Sequence, residues 1–562
     1  MAVIPLPINS FTWIFAVTVI FAFLDAYSIG ANDVANSFAT SVGSRSLKYW
    51  QAVAIAIFTE FGGAILLGAS NTATIKDGII NVSMFNARQD LLMAGFMCAL
   101  IASSTWIMCC IYIGMHPSTT HSIVCALIGI GVSAGGFDAV NWAWNGRGVA
   151  YIVTGWVLAP CLAAFLAGSI YSLTRFFVFS GTNSLRRGIY AIPIYFTLTG
   201  FIVSFFVVMK NGRGDWSIAV TGNNVGAPVT LKGDLAKAFT IIGAMTAAIA
   251  AFCVFLAVPY FIRKLEKEEN LKWYHIFYIW LVPTQPKDEN LDLYLKKTMT
   301  PHVLHQQELD AAAGEKTDEK GTVAATEAVV ATPVVPKDTS ALGALISIPA
   351  KLWAFATKGF RMDIVGIQYE SAKNLHDIAV LYDNKTEYLF SFLQVLTAAF
   401  ASFSHGSNDV ANSIGPFAGV YAIWSTGLLN ASGSNAPVPT WMLAFGGISI
   451  DIGLALYGYN IMRNLGNNMT YHSPSRGFAM ELGAALTVIT ASFLALPVST
   501  SQCIVGATIG VGLCNGSLKA INWKMFGWIG LSWALTLPVA SVAAGLLFAV
   551  LTRGPSFAAL PA

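Results

Sequence analysis

Two short segments of the sequence carry the same arrangement of one carboxylate and two amides. Residues 30–37 read GANDVANS, and residues 406–413 read GSNDVANS. On a helix, the second asparagine of each copy lies one turn after the Asn-Asp pair, on the same face. Carboxylate, amide and carbonyl oxygens suit hard cations, and the glycine that opens each copy allows the helix to unwind and free carbonyl oxygens. We therefore predict one cation site per copy, formed by Asn32, Asp33, Asn408 and Asp409.

A second repeated segment is rich in hydroxyl groups. Residues 118–131 read STTHSIVCALIGIG and residues 499–512 read STSQCIVGATIGVG, with 8 of 14 positions identical. Each copy follows a proline and opens an apolar, glycine-containing helix, where free N–H groups and the positive end of the helix dipole favour an anion. Either copy alone favours an ordinary helix cap over an anion site. Together, meeting at the membrane midplane, they predict a tetrahedral oxyanion site of Ser118, Thr119, Thr120, Ser499, Thr500 and Ser501, with Asn36 and Asn412.

Buried acids are the third chemical feature. Six of them lie in or beside apolar segments: Asp25, Asp33, Glu60, Asp409, Asp451 and Glu481. A charge inside a membrane span costs roughly 2.5–3.5 kcal/mol on insertion scales, so each acid needs a partner, a proton or an ion. An anion near Asp33 and Asp409 is repelled unless cations neutralise them, which couples the binding of the two ions reciprocally. The sequence shows no zinc-type His/Cys cluster, and we expect neither a cofactor nor a transition metal.

The elements that must position these residues are membrane helices. Only 11% of the 562 residues are charged, against about 25% in soluble domains. This composition excludes an ordinary soluble enzyme, a nucleic-acid-binding protein and a disordered scaffold. Residues 263–388 hold 33 of the 61 charges. We therefore predict a membrane region at 1–262, a cytoplasmic loop at 263–386 that is disordered over 311–341, and a second membrane region at 387–562.

The predicted fold is an all-α polytopic membrane protein with about twelve segments, some paired as helical hairpins. They are 11–31, 51–70, 91–114, 118–134, 149–171, 188–209, 239–262, 387–406, 440–462, 480–497, 502–515 and 524–549. The first basic residues, Arg45 and Lys48, follow the first segment, which places both termini outside and the central loop inside. The two copies of each motif then have opposite orientation. Inverted repeats of this kind are typical of secondary transporters.

At these motifs the sequence resembles the inorganic phosphate transporter family, most closely its fungal sodium/phosphate symporters. The resemblance covers 11–262 and 387–550 and implies sodium-driven phosphate uptake at the plasma membrane by a protein that is not an enzyme. It implies roles for Asp33, Asp409, Glu60 and Glu481, to which we add Asp25 as a functional acid. The chain departs from the family at Ser407, in the STSQ motif, and in lacking a glutamate before the first hydroxyl motif.

Several alternatives stay open at this point. Proton coupling, or another tetrahedral oxyanion such as sulfate, fits the same residues. A phosphate-sensing receptor that signals through the central loop is a different class of protein. The expected partners are inorganic phosphate, sodium ions and the lipid bilayer, with no nucleic acid, and a homodimer is left open.

Overall fold

The computed structural model describes residues 6–144, 148–211, 216–220, 229–233, 235–299, 353–354, 357–362, 375, 378–428 and 438–554. The prediction of disorder over 311–341 lies outside these residues.

In the first half of the chain, the described residues form eight helices. They are α1 (Thr12–Gly43), α2 (Tyr49–Leu67), α3 (Ala69–Asp77), α4 (Gln89–Tyr112), α5 (Thr119–Gly135), α6 (Val149–Phe179), α7 (Ser184–Asn211) and α8 (Leu235–Glu266). A two-stranded antiparallel hairpin of β1 (Trp216–Val220) and β2 (Val229–Gly233) lies between α7 and α8, with Trp216 paired to Gly233. Short 3₁₀ turns occupy Val82–Phe85 and Phe137–Ala139.

Beyond Glu266, the residues that the structure describes include two short helices and a second membrane region. After a 3₁₀ segment at Trp273–Leu281 come α9 (Leu291–Met299) and α10 (Lys358–Arg361). The second membrane region contains α11 (Asn384–Thr426), α12 (Thr440–Met469), α13 (Pro474–Phe493), α14 (Thr500–Leu513) and α15 (Trp523–Arg553), with a 3₁₀ turn at Leu518–Ala520.

The structure confirms the helical membrane fold. Each of the twelve predicted segments coincides with a helix, and the departures from all-α structure among the described residues are the β1–β2 hairpin and two isolated β-bridges. Nine of the described helices are long and apolar enough to cross a membrane, while α5 and α14 are shorter apolar helices. Large apolar side chains such as Phe165, Phe255 and Leu546 are exposed on α6, α8 and α15, as expected for helices that face lipid.

The two helices that carry the Asn-Asp motifs are longer than predicted and do not unwind. We expected these segments to end at residues 31 and 406, beside the motifs. Instead α1 continues through the first motif to Gly43, with a π-helical turn at Gly30–Val34. Helix α11 runs for 43 residues through the second motif. The prediction that the motif glycines free backbone carbonyls by unwinding is therefore wrong for Gly406, and at Gly30 the change is limited to the π-helical turn.

The motif glycines instead allow two close helix crossings. A Cβ added to Gly30 would lie 1.8 Å from the carbonyl oxygen of Ile450, and one added to Gly406 would lie 2.2 Å from that of Glu60. Helix α1 of the first half thus crosses α12 of the second, and α11 crosses α2 of the first. The two crossings are equivalent under the repeat, because Gly30 and Gly406 occupy the same motif position. Ile450 on α12 is therefore the repeat equivalent of Glu60 on α2.

Candidate functional site

The two hydroxyl motifs meet inside the protein. We call residues 118–120 the first tip and residues 499–501 the second tip. Ser118 caps α5 by accepting a hydrogen bond from the backbone N–H of His121, and Ser499 caps α14 in the same way. Ser118 Oγ donates to Ser499 Oγ across 2.9 Å, and both residues are buried. Each serine is therefore a helix cap and also part of the contact between the tips.

Asp33 joins the two tips. Its carboxylate accepts a hydrogen bond of 2.6 Å from Thr119 of the first tip and another from Ser501 of the second tip. The neighbouring Asn32 amide donates to the same carboxylate at 2.9 Å, and Asn36 donates to Ser501 Oγ at 2.8 Å. One carboxylate of the first motif therefore receives hydroxyls from both halves of the chain.

Asp409 occupies the corresponding place on α11. It accepts hydrogen bonds of 2.5 Å from Thr500 Oγ1 and 2.6 Å from the Asn408 amide. The Asn412 amide reaches across to the first tip and donates to Thr120 Oγ1 at 3.2 Å and to Thr119 Oγ1 at 3.4 Å. Asp33 and Asp409 are almost completely buried, with 2% and 0% exposure. All twelve tip and motif residues predicted to bind ions thus lie together.

The sequence did not reveal that His405 lies between two carboxylates of this site. Its Nε2 is 2.8 Å from Asp409 Oδ2, and its Nδ1 is hydrogen-bonded to Glu60 Oε1. Ser402 donates to the other oxygen of Glu60 at 3.0 Å. The available signal was the histidine directly before GSND, where the first copy has Ile29. Asp33, His405 and Asp409 each present a ligand atom within 4.8 Å of the others.

Glu481 lies outside this cluster, in a polar pocket of its own. Its carboxylate accepts hydrogen bonds from Thr40 at 2.6 Å and from Ser41 on α1. It also accepts from Thr397 at 2.7 Å and from Gln394 at 3.2 Å on α11. The side chain is fully buried. A carboxylate surrounded by three hydroxyl groups and one amide N–H group can hold a proton, or can bind a hard monovalent cation together with the hydroxyl oxygens.

The two remaining acids are also separate from the tips. Asp25 is fully buried in α1 and accepts a hydrogen bond of 2.7 Å from Ser413 Oγ. Asp451 is 8% exposed on α12, and its Oδ1 has no hydrogen-bond partner among the described residues. The structure thus brings Glu60 into contact with the central cluster and leaves Asp25 and Glu481 in flanking pockets.

Known proteins with similar sequences are phosphate transporters. The chain is 37% identical to the phosphate-repressible phosphate permease pho-4 of Neurospora crassa, over 98% of this chain and 99% of that protein. It is 32% identical to the chloroplastic inorganic phosphate transporter 2-1 of Arabidopsis thaliana, over 96% of this chain and 72% of that protein. It is 28% identical to the sodium-dependent phosphate transporter 1 of Mus musculus, over 96% of this chain and 95% of that protein.

A solved structure has the same fold. It is described as the sodium-dependent phosphate transporter and matches with a TM-score of 0.67 and 28% sequence identity, over 96% of this chain and 99% of that chain. The predicted membrane transporter, as opposed to an enzyme, is thereby confirmed. The model of the phosphate transporter family matches residues 29–544, and the chain belongs to that family.

Proposed function

We propose that this chain is a sodium-coupled symporter of inorganic phosphate that works by alternating access. The observation that supports this most directly is the contact of the two tips above Asp33 and Asp409. At this contact, hydroxyl donors and carboxylate acceptors from both halves of the chain lie together in the protein interior. In this proposal the tips bind phosphate, and the two Asn-Asp pairs bind sodium.

The hydrogen-bond pattern suggests how sodium and phosphate are coupled. A hydroxyl has one hydrogen to donate, and those of Thr119, Ser501 and Thr500 are directed to carboxylates. A cation bound to Asp33 or Asp409 competes for the same carboxylate oxygens and releases these hydrogens to the phosphate oxygens. The cation also offsets the repulsion between the phosphate and the carboxylates. Because binding linkage is reciprocal, phosphate strengthens sodium binding by the same factor.

The interlocked halves support alternating access. Helices α1 and α11 pass through the site in full, and each crosses a helix of the other half at a motif glycine. Rotation of the helix pair at one crossing relative to the pair at the other can open the contact between the tips toward one side of the membrane while closing it toward the other. We place the protein in the plasma membrane, with both termini outside and residues 263–386 in the cytoplasm.

Proton coupling is the second candidate, favoured by the position of His405. Both of its ring nitrogens face carboxylate oxygens, of Glu60 and of Asp409. A protonated imidazole donates from both nitrogens, so this residue can carry a positive charge at the place where a cation would otherwise be needed.

Reconstituted transport distinguishes the two candidates. The purified full chain is placed in proteoliposomes, and uptake of ³²P-phosphate is followed under an inward sodium gradient without a pH gradient, then under the reverse conditions. Sodium coupling predicts uptake driven by the sodium gradient alone and abolished when potassium replaces sodium. Uptake that ignores sodium and follows the pH gradient would reject the proposal in favour of proton coupling. Unlabelled sulfate added as a competitor tests the choice of oxyanion, and we expect it to leave phosphate uptake unchanged.

A further inference from the structure

Asp25 is a membrane carboxylate that the proposed central site does not use. It lies on α1, about two helical turns before Asp33, and none of its surface is exposed. Its Oδ2 accepts a hydrogen bond from Ser413, whereas its Oδ1 has no hydrogen-bond partner among the described residues. No described basic side chain forms an ion pair with it. An ionised carboxylate in this position requires a counter-charge.

A second hydroxyl completes the surroundings of this carboxylate. Ser103 of α4 is fully buried and lies beside Asp25, yet its Oγ makes no hydrogen bond of normal geometry with the described residues. Native proteins leave few buried polar atoms without partners. Here two such atoms, Asp25 Oδ1 and Ser103 Oγ, belong to neighbouring side chains at the junction of α1, α4 and α11. They provide oxygen ligands of the kind that a hard monovalent cation requires.

The repeat relates this pocket to that of Glu481. The offset of 381 residues between the hydroxyl motifs puts Leu100 at the position of Glu481 in the first half. The offset of 376 between the Asn-Asp motifs puts Ala401 at the position of Asp25 in the second half. Each half therefore supplies one flanking acid, but from a different helix of the equivalent three-helix junction.

The Asp25 pocket is displaced by one helical turn toward the tips. Two partners of Glu481 are Thr40 and Thr397. Under the repeat offset of 376, the equivalent positions in the other half are Pro416 and Phe21. Ser413 precedes Pro416 by three residues, and the aspartate follows Phe21 by four. On both helices the shift is toward the Asn-Asp motif. The acid that the first half lacks before its tip is thus replaced by one nearer to the centre.

We propose that Asp25, Ser103 and Ser413 form a further binding site for a monovalent metal cation, with sodium as its ligand. The proposal rests on the proposed sodium coupling. A cation bound at this site affects the phosphate-binding tips through a short chain of contacts. Ser413 is the neighbour of Asn412, whose amide donates to Thr120 of the first tip. A cation at Asp25 therefore fixes the segment of α11 that holds that tip.

The test is equilibrium binding of ²²Na⁺ to the purified full chain, together with the number of sodium ions moved per phosphate, taken from reversal potentials in proteoliposomes. Asp25→Asn keeps the shape of the side chain and removes its charge, and we expect it to bind one sodium ion fewer per molecule and to move one fewer per phosphate. Asp138→Asn, at an exposed acid, is the matched control and should match the wild type. Ser103→Ala retains the charge and should weaken the sodium affinity of this site about tenfold, as expected for one lost contact to an ion.

Three outcomes separate the possibilities. A structural, protonated Asp25 would be mimicked by asparagine, so an Asp25→Asn protein with the sodium count and stoichiometry of the wild type overturns this proposal while leaving sodium coupling intact. If Asp25→Asn fails to fold, unchanged sodium binding in Ser103→Ala overturns it instead. Wild-type uptake that ignores sodium refutes the proposed function itself.

Discussion

Replacing Gly30 by alanine tests whether the crossing of α1 and α12 positions the site. The new Cβ would lie 1.8 Å from the carbonyl oxygen of Ile450, whereas real Cβ contacts are essentially never below 3.0 Å, so the helices must separate by the difference of about 1.2 Å. Overpacking of this kind costs about 1–3 kcal/mol, offset in part by about 1 kcal/mol from the higher helix propensity of alanine. A displacement of this size in α1, three residues from Asp33, is large enough to take the 2.6 Å hydrogen bond between Thr119 and Asp33 out of hydrogen-bonding range.

The assay pairs thermal unfolding of the purified protein with phosphate uptake. We expect Gly30→Ala to lower the unfolding temperature and reduce uptake at least about tenfold, since a displacement of 1 Å at a site can cost 100-fold. Gly406→Ala, with its Cβ 2.2 Å from the Glu60 carbonyl oxygen, should behave alike. Gly527 on α15 has no atom within 4 Å of an added Cβ, so Gly527→Ala should retain uptake and stability. Wild-type uptake and stability in Gly30→Ala would refute the role of the crossing.

Three further results follow from the same geometry. Asp33→Asn and Asp409→Asn should each lose sodium dependence and phosphate uptake together, and a variant that keeps both would remove that aspartate from the sodium site. Thr500→Ala should raise the KM for phosphate about tenfold with the fold retained, and an unaltered KM would exclude its hydroxyl from phosphate binding. In the central segment, hydrogen bonds from Lys287 and a second lysine lower the pKa of Glu268 to about 2. The ion pair is fully formed above the ordinary glutamate pKa of about 4.5 and is lost as the pH falls from there toward 2. The rate of pepsin cleavage of this segment, divided by the rate for Glu268→Gln, should therefore rise as the pH is lowered over that range. A ratio that stays constant would contradict the assignment.

The sequence predicted the parts of the site that depend on local spacing. The Asn-x-x-x-Asn interval placed both amides on one helix face, and the hydroxyls after each proline became helix caps at Ser118 and Ser499. The inverted orientation of the repeats then predicted that the two tips approach each other. Each of these inferences needs only the helix period, cap chemistry or the charge of short loops, all of which are local.

The features that the sequence did not reveal depend on contacts between distant segments. Glu481 is held by residues more than 400 positions away on α1 and by others 84 and 87 positions away on α11. The helix period cannot indicate which distant helix faces a given side chain. The motif glycines were misread for the same reason, since a glycine required by a close helix crossing looks identical in sequence to one that permits unwinding.

The two halves of the site are related by the repeat but differ in their charge. In the second half, Asp409 faces His405, which in turn contacts Glu60. In the first half, the equivalent positions are Ile29 and Ile450, so Asp33 has hydroxyl and amide partners and no basic side chain in their place. A protonated His405 contacts Glu60 and Asp409 and balances one of these two carboxylates, whereas it lies within 4.8 Å of Asp33 without forming an ion pair with it. In the proposed mechanism the first motif is therefore the one whose affinity for phosphate depends more strongly on a mobile cation, although the two motifs read almost identically.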